Sequence, residues 1–272
     1  MGTNDFNRLN TAITNARNSG ILVFVATGNS GPEYDTIADS STCTNARSVG
    51  AMVDPYEGGW YPGKFSSRGS GTTGPFIMAP GQNIRFAKAN TVSEYITDFG
   101  TSYSAPAIAG ITALMMDALD GSGSLRYYAE EFGKSGFDSV YGNGEILAYD
   151  SIKATGGYSN GSFDDYRDHL IDSRTIQQGH WVLYNMEVYD VDSSLYWATT
   201  LIMTDEDNDN FDLYIWNPGK DPYNDLSDYH SNSPTPQETI SFIPSVTGIY
   251  KVGVRATSGT GNYTIDFSGR IR

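Results

Sequence analysis

The sequence predicts two folds in series. Residues 1–153 read as an α/β fold with a parallel sheet, and residues 165–272 as an all-β sandwich or jelly roll, with a linker at 154–164. Three observations carry this. The run Ile21-Leu22-Val23-Phe24-Val25-Ala26 is continuously apolar and β-rich between helical patterns, as a strand of a parallel sheet is. From Trp181 onward the apolar spacing shortens to alternation between turn signals. Between the two, Ala154 to Asp164 is rich in Gly, Ser and Asn and carries no periodicity. Helices and a parallel sheet followed by a run of short strands call for separate domains.

The elements follow in order. Residues 5–19 form a helical pattern, with Phe6, Leu9, Ile13 and Ala16 near the helical period and Gly20 as the stop. The run at 21–26 is then a strand covered on both faces, ended by Gly28-Asn29-Ser30-Gly31-Pro32. A second strand spans 46–53, and 54–100 reads as loops and short strands. Residues 104–119 form the second strong helix, with Pro106 placed in its first turn, where a missing N–H costs nothing. Beyond the linker, strands are expected at Trp181–Val188, Leu195–Thr204, Phe211–Trp216, Thr239–Ile243, Tyr250–Ala256 and Tyr263–Phe267.

Composition narrows the class. Seventeen basic against 32 acidic residues leave a net charge of −15, which repels nucleic acid and anionic membranes. The single cysteine, Cys43, excludes an internal disulfide and a multi-cysteine zinc site, and is expected to be buried. No apolar run is long enough to insert in a membrane, and any export signal is expected upstream of Met1.

Two local sites carry chemistry. Gly100-Thr101-Ser102-Tyr103-Ser104-Ala105-Pro106 places the Ser102 hydroxyl at a helix start, where unpaired N–H groups and the macrodipole favour negative charge. That suits a nucleophile whose attack creates an oxyanion, and it equally suits an N-cap. Asn29 follows a buried strand at its C-terminal end, where α/β folds place ligands. Its side-chain N–H aimed beside Ser102 would complete an oxyanion hole with the Ser102 backbone N–H. Read alone, Asn29 is also an ordinary turn residue.

Five blocks in order give the first domain a family resemblance: Val25 to Gly31, Ser48-Val49-Gly50-Ala51, Phe65 to Gly69 with Ala79-Pro80-Gly81, Gly100 to Pro106, and Tyr141-Gly142-Asn143-Gly144 followed by Ala148. Together they resemble the C-terminal half of a subtilisin-like serine protease domain. The resemblance implies a partial subtilisin-like three-layer fold and a peptidase S8 type of endopeptidase. It makes Ser102 the nucleophile and Asn29 the oxyanion donor. Ala26, Thr27 and Gly28 become one wall of the pocket for the side chain before the scissile bond. Tyr103 stands where the family usually has Met, and Ala107 where many relatives carry His.

The family orders its triad Asp, His, Ser. No histidine precedes His169 in this sequence, and the Asp and His blocks have no counterpart. A serine hydroxyl without a base is a poor nucleophile, so the chain is expected to be inactive alone. It would need a complementary fragment carrying Asp and His, or self-association, since losing the preceding strands leaves the strand at 21–27 with an apolar edge. His169, His180 and His230 read as surface or edge-strand residues of the β module, and Asp35 and Asp98 as solvated loop acids. The competing reading is a non-catalytic surface-binding or structural protein that reuses the fold.

In the second domain, Asp205, Asp207, Asp209 and Asp212 alternate in an acidic loop that suits Ca²⁺ ligation or a solvated hairpin. The segments Phe211 to Ile215, Gly248 to Val254 and Gly261 to Ile265 resemble a prepeptidase C-terminal type of domain. That resemblance implies secretion to the extracellular space and an accessory role in stabilisation or attachment.

Overall fold

The computed structural model describes residues 3–53, 61–119, 124–156, 168–192, 196–203 and 209–271. They fall into two compact units, one drawn from Met1–Val53 and Pro62–Asp164, the other from Asp54–Tyr61 and Asp165–Arg272. Most of the expected linker, from residue 157, lies outside the described residues.

The first unit begins with α1 (Thr3–Asn18). Gly20 takes φ 84° and the Ile21 N–H returns to the Ala16 carbonyl, a left-handed stop that a side chain would strain. β1 (Val23–Ala26), β2 (Ala46–Met52) and β3 (Ile77–Pro80) follow. β4 (Ile84–Ala87) and β5 (Tyr95–Asp98) form a separate antiparallel pair. Then come α2 (Thr101–Ala118), β6 (Ala129–Glu130), β7 (Glu145–Ile146) and α3 (Ala148–Thr155). The main sheet runs β1-β2-β3-β7-β6, with the first four strands parallel. α2 packs on β1, β2 and β3, so Ala105 and Ile108 meet Val49, Ile77, Ala79 and Ile146 in one apolar core.

β1 is the edge strand of its sheet, as the resemblance implied, flanked by β2 alone among the described residues and half-buried throughout, with both α1 and α2 in contact with it. One expectation is corrected. α2 begins at Thr101, three residues early, so Pro106 lies in its second turn rather than its first. The missing proline N–H leaves the Ser102 carbonyl without its i+4 donor. α2 also shows an uncovered apolar side. Ala107, Ala109, Ala113, Leu114 and Met116 are exposed, on a helix whose inner side is already buried. A helix apolar on both sides is built to be enclosed.

Glycines set how closely α2 approaches the sheet. A Cβ on Gly81 would sit 2.3 Å from Ser104 Oγ and 2.6 Å from Ala51 Cβ. In that space the Gly100 N–H donates to the Gly81 carbonyl at 2.8 Å, and buried Ser104 Oγ donates between the Ala79 and Pro80 carbonyls at 3.1 and 3.2 Å. The Ala-Pro-Gly block is thus the seat of the helix start.

The second unit is a sandwich of two antiparallel sheets. One orders β13 (Gln237–Phe242), β10 (Tyr196–Met203), β15 (Gly261–Ile271) and β8 (Asp168–Ile176). The other orders β12 (Tyr229–Ser231), β11 (Asn210–Trp216), β14 (Gly248–Ser258) and β9 (Trp181–Val188). Alternate residues Phe211, Leu213, Ile215 and Tyr250, Val252, Val254 face inward and are fully buried. The two sheets are tied by a hydrogen bond of 2.7 Å between the Tyr184 and Tyr263 hydroxyls. Burial pushes both phenols above the ordinary tyrosine range, and the shared hydrogen bond adds to the rise at Tyr184 while opposing it at Tyr263. β8 and β12 were not expected. β8 carries charged residues at alternate positions, and β12 is only three residues long.

Gly81→Ala is expected to cost about 1–3 kcal/mol by overpacking. Gly110→Ala, where an added Cβ meets open space on α2, is expected to be neutral or to stabilise by up to about 1 kcal/mol. Thermal unfolding of the two variants checks the contrast.

Candidate active site

The loop after β1 and the start of α2 meet through one residue pair. Asn29 Oδ1 accepts two hydrogen bonds from Thr101, from its N–H at 3.0 Å and from its hydroxyl at 3.0 Å. The same hydroxyl accepts from the Gly28 N–H at 3.2 Å. Thr101 is buried, whereas Asn29 and Ser102 are exposed. The acceptor end of the carboxamide is therefore anchored, and its Nδ2 donor end lies 3.1 Å from the position a Cβ on Gly100 would take. Gly100 has φ 145°, so a side chain there would be both strained and in contact with that donor.

Ser102 is the second residue of α2, not its cap; Gly100 is the cap and offers no side-chain bond. The N–H of Ser102 belongs to the first helical turn, which has no intrahelical acceptors. Its hydroxyl has no hydrogen-bond partner among the described residues. The Ser102 hydroxyl and N–H thus sit at the positive end of an eighteen-residue helix, and the Asn29 carboxamide is tied to Thr101, the residue before them. Such a corner favours an oxygen that becomes negative on attack.

The Asn29 loop is itself supported from below. Ser67 Oγ accepts from the Ser30 N–H at 3.0 Å, the Ser67 N–H donates to the Gly28 carbonyl at 3.0 Å, and the Gly31 N–H donates to Phe65 at 2.9 Å. A Cβ on Gly31 would meet the Ser66 carbonyl at 2.1 Å. Ser66 Oγ accepts from the Ala51 N–H at 3.0 Å, fixing this hairpin to β2. Arg68 is fully buried, and desolvation holds its guanidinium below the usual range while Tyr34, Tyr141, Glu33 and Asp138 oppose that shift.

Residues 26–28 have their main chain committed internally. Ser41 Oγ donates to the Ala26 carbonyl at 2.5 Å, the Thr27 N–H donates to Val49 at 3.0 Å, and the Ala38 N–H donates to Thr27 at 2.8 Å. The Thr27 side chain is buried, so only Ala26 and Gly28 retain exposed surface. This segment can serve as a wall; it has few free groups with which to bind a peptide backbone.

Two contacts escaped sequence reasoning. Thr101 joins Asn29 to the start of α2, and its only signal was a buried-type β-branched hydroxyl there. Asp98 accepts from the Tyr103 hydroxyl at 2.9 Å, and Phe86 stacks on that ring with centroids 5.1 Å apart. The tyrosine after Ser102 is therefore held on the β4–β5 pair. Cys43 is buried as expected, and burial raises its thiol.

The remaining candidates lie in the second unit. His169 is in β8, His180 precedes β9 and His230 is in β12. Asp205 and Asp207 fall outside the described residues. Asp212 is buried, with Oδ2 accepting from the Tyr214 hydroxyl at 3.0 Å and from Thr257 Oγ1 at 2.6 Å. Its Oδ1 is buried with no hydrogen-bond partner, and so is Oδ1 of Asn210. Among the described residues no three His, Cys, Asp or Glu side chains converge as a metal site.

The parallel strands β1, β2, β3 and β7, with the glycine-seated α2 packed on the first three, make the first unit an α/β fold. Residues 2–131 match the model of the Subtilase family, peptidase S8. The chain is 33% identical over 166 residues to serine protease AprX of Bacillus subtilis (strain 168), covering 52% of this chain and 37% of that protein. It is also 33% identical over 152 residues to a subtilisin of Bacillus sp. (strain TA39), covering 50% of this chain and 36% of that one. The solved structure of Sphericase is 23% identical, covering 50% of this chain and 51% of that one, with a TM-score of 0.39. The chain thus spans little more than a third of the length of the curated relatives it matches. Among the described residues no helix is long and apolar enough to cross a membrane.

Thr101→Val keeps the shape of this residue and removes the hydroxyl that links Gly28 and Asn29. It is expected to lower stability by about 1–3 kcal/mol, because a buried N–H and half of the Asn29 anchor lose their partner. Thr101→Ser is expected to stay near the parent. Thermal melts of the three proteins make the comparison.

Proposed function

We propose that the first unit is the nucleophile and oxyanion portion of a subtilisin-type serine endopeptidase. Ser102 Oγ attacks the peptide carbonyl, Asn29 Nδ2 and the Ser102 N–H stabilise the resulting oxyanion, and Ala26, Thr27 and Gly28 wall the pocket before the scissile bond. The observation that supports this reading is the anchoring of Asn29 Oδ1 on Thr101, the residue before the exposed Ser102, which leaves the amide NH₂ uncommitted. Residues 1–168 contain no histidine. The base and its orienting Asp would be supplied from outside residues 1–168, by further polypeptide such as a complementary fragment, or by self-association. The half-buried edge of β1 and the exposed apolar side of α2 favour such a partner. The substrate is protein or peptide, and the setting is extracellular, in keeping with the acidic surface and the family of relatives.

A free base gives the test. A fluorophosphonate probe should label Ser102 slowly, and imidazole in solution should accelerate that labelling. Ser102→Ala should abolish it. Asn29→Ala should slow it; for the corresponding donor in subtilisin itself the known loss is about 10²–10³ in kcat, a value belonging to that protein rather than derived for this one. Labelling at other residues, or rates indifferent to Asn29, would refute the assignment.

Calcium binding by the acidic turn is a separate part of the reading. Asp205, Asp207, Asp209 and Asp212 would supply oxygens, and the orphaned buried Oδ1 of Asp212 supports it. Calcium would then raise the melting temperature of the second unit, and Asp212→Asn would remove that response. Equal melting with calcium and with chelator would rule the ion out.

A further inference from the structure

We propose that the outer face of the β12-β11-β14-β9 sheet is a binding platform for neutral polysaccharide. The outer positions of a sandwich are normally polar, since the inner ones already fill the core. Here they carry aromatic rings in a row across the strands. Trp181 of β9 and Tyr214 of β11 have centroids 5.0 Å apart, and Tyr214 and His230 of β12 are 6.5 Å apart. Trp216 lies beneath, 6.0 Å from both Trp181 and Tyr214. Tyr214 is within 30° of parallel to His230 and to Trp216, so these three rings present similar planes.

The row is built rather than accidental. Gly253 of β14 sits between Tyr214 and Leu183 in the cross-strand register. A Cβ there would meet the Trp216 ring at 2.8 Å and the Trp181 ring at 3.2 Å. The absent side chain is what lets both indoles settle over the strand. Tyr214 is fixed by its hydroxyl on buried Asp212, and Trp216 by its indole N–H on the Asp225 carbonyl at 3.0 Å. Fixing the rings before a ligand arrives removes an ordering cost on binding. Trp181 nevertheless keeps 40% of its surface exposed, and His230 is exposed too.

Sugar rings match this chemistry. Their C–H faces stack on aromatic planes, and their hydroxyls seek donors and acceptors at the ring margins. Arg255 supplies donors from over one face of Trp181, its guanidinium 5.5 Å from that centroid, and His230 supplies ring nitrogens at the other end of the row. Ring-to-ring steps of 5.0 and 6.5 Å are on the scale of consecutive sugar units in an extended chain. A chain of net charge −15 repels anionic polymers, which selects a neutral glycan.

The test is native gel electrophoresis of the full chain in gels containing hydroxyethylcellulose, mixed-linkage β-glucan or galactomannan, with pull-down on insoluble cellulose and chitin. The parent should be retarded or captured by at least one of them. Trp181→Ala should weaken that binding at least tenfold, with Trp181→Phe retaining part of it. His230→Ala, on an exposed edge residue, should weaken it several-fold without changing the melting temperature. No interaction of the parent with any of these glycans would overturn the proposal. So would glycan binding that Trp181→Ala and His230→Ala leave intact, or Trp181-dependent capture by gelatin or collagen instead. The outcome is independent of whether Ser102 reacts with any probe.

Discussion

A primary carboxamide has one oxygen and one NH₂ group, and in the first unit the two ends are given different tasks. The oxygen of Asn29 takes both polar hydrogens of Thr101, and that single acceptor holds the strand-end loop against the helix start. With the oxygen committed, the amide is oriented, and its NH₂ lies 3.1 Å from where a Cβ on Gly100 would stand. The arrangement costs the helix little. Its first N–H groups need outside acceptors in any case, and Asn29 satisfies one that would otherwise face a crowded loop.

The rest of the unit maintains that contact. Three glycines permit backbone to touch backbone or side chain where a Cβ would intrude: Gly31 over Ser66, Gly81 under Ser104, and Gly100 beside Asn29. Three short hydroxyl side chains, Ser66, Ser67 and Ser104, then bridge main-chain groups across the gaps so formed. The same logic closes the far side of the sheet. Gly142 lies against the Pro75 carbonyl, and the Asn143 amide donates to Phe76 at 2.6 Å. The small and hydroxylated residues of the five sequence blocks are therefore spacers and ties around one junction.

Much of this was legible in the sequence. The apolar run at 21–26, the glycine after α1 and the alternation in β11 and β14 have strong local signals, and each formed its element within a few residues. The proximity of Asn29 and Ser102 was not readable from periodicity, since they are 73 positions apart and only the ordered blocks hinted at a shared site. The true start of α2 was hidden because a proline usually marks a first turn, and here the seat provided by Ala79, Pro80 and Gly81 outweighs the lost hydrogen bond. Composition reads the same for an edge strand and a central one, so the edge position of β1 was expected from the family resemblance alone. The aromatic row on the second unit was invisible as well. Its members lie on three strands, and Trp181, Tyr214 and His230 are brought together only through register.

The hydrogen bonds between Asn29 and Thr101 bridge a sequence separation of 72 residues. Nothing local favours that encounter, and loop closure over such a distance must be compensated by contacts that form only when β1, β2 and β3 have already paired. During synthesis, Asn29 leaves the ribosome long before its anchor exists. A junction assembled this way exists only once the fold is complete, so no isolated segment of the first unit can hold Asn29 against Thr101.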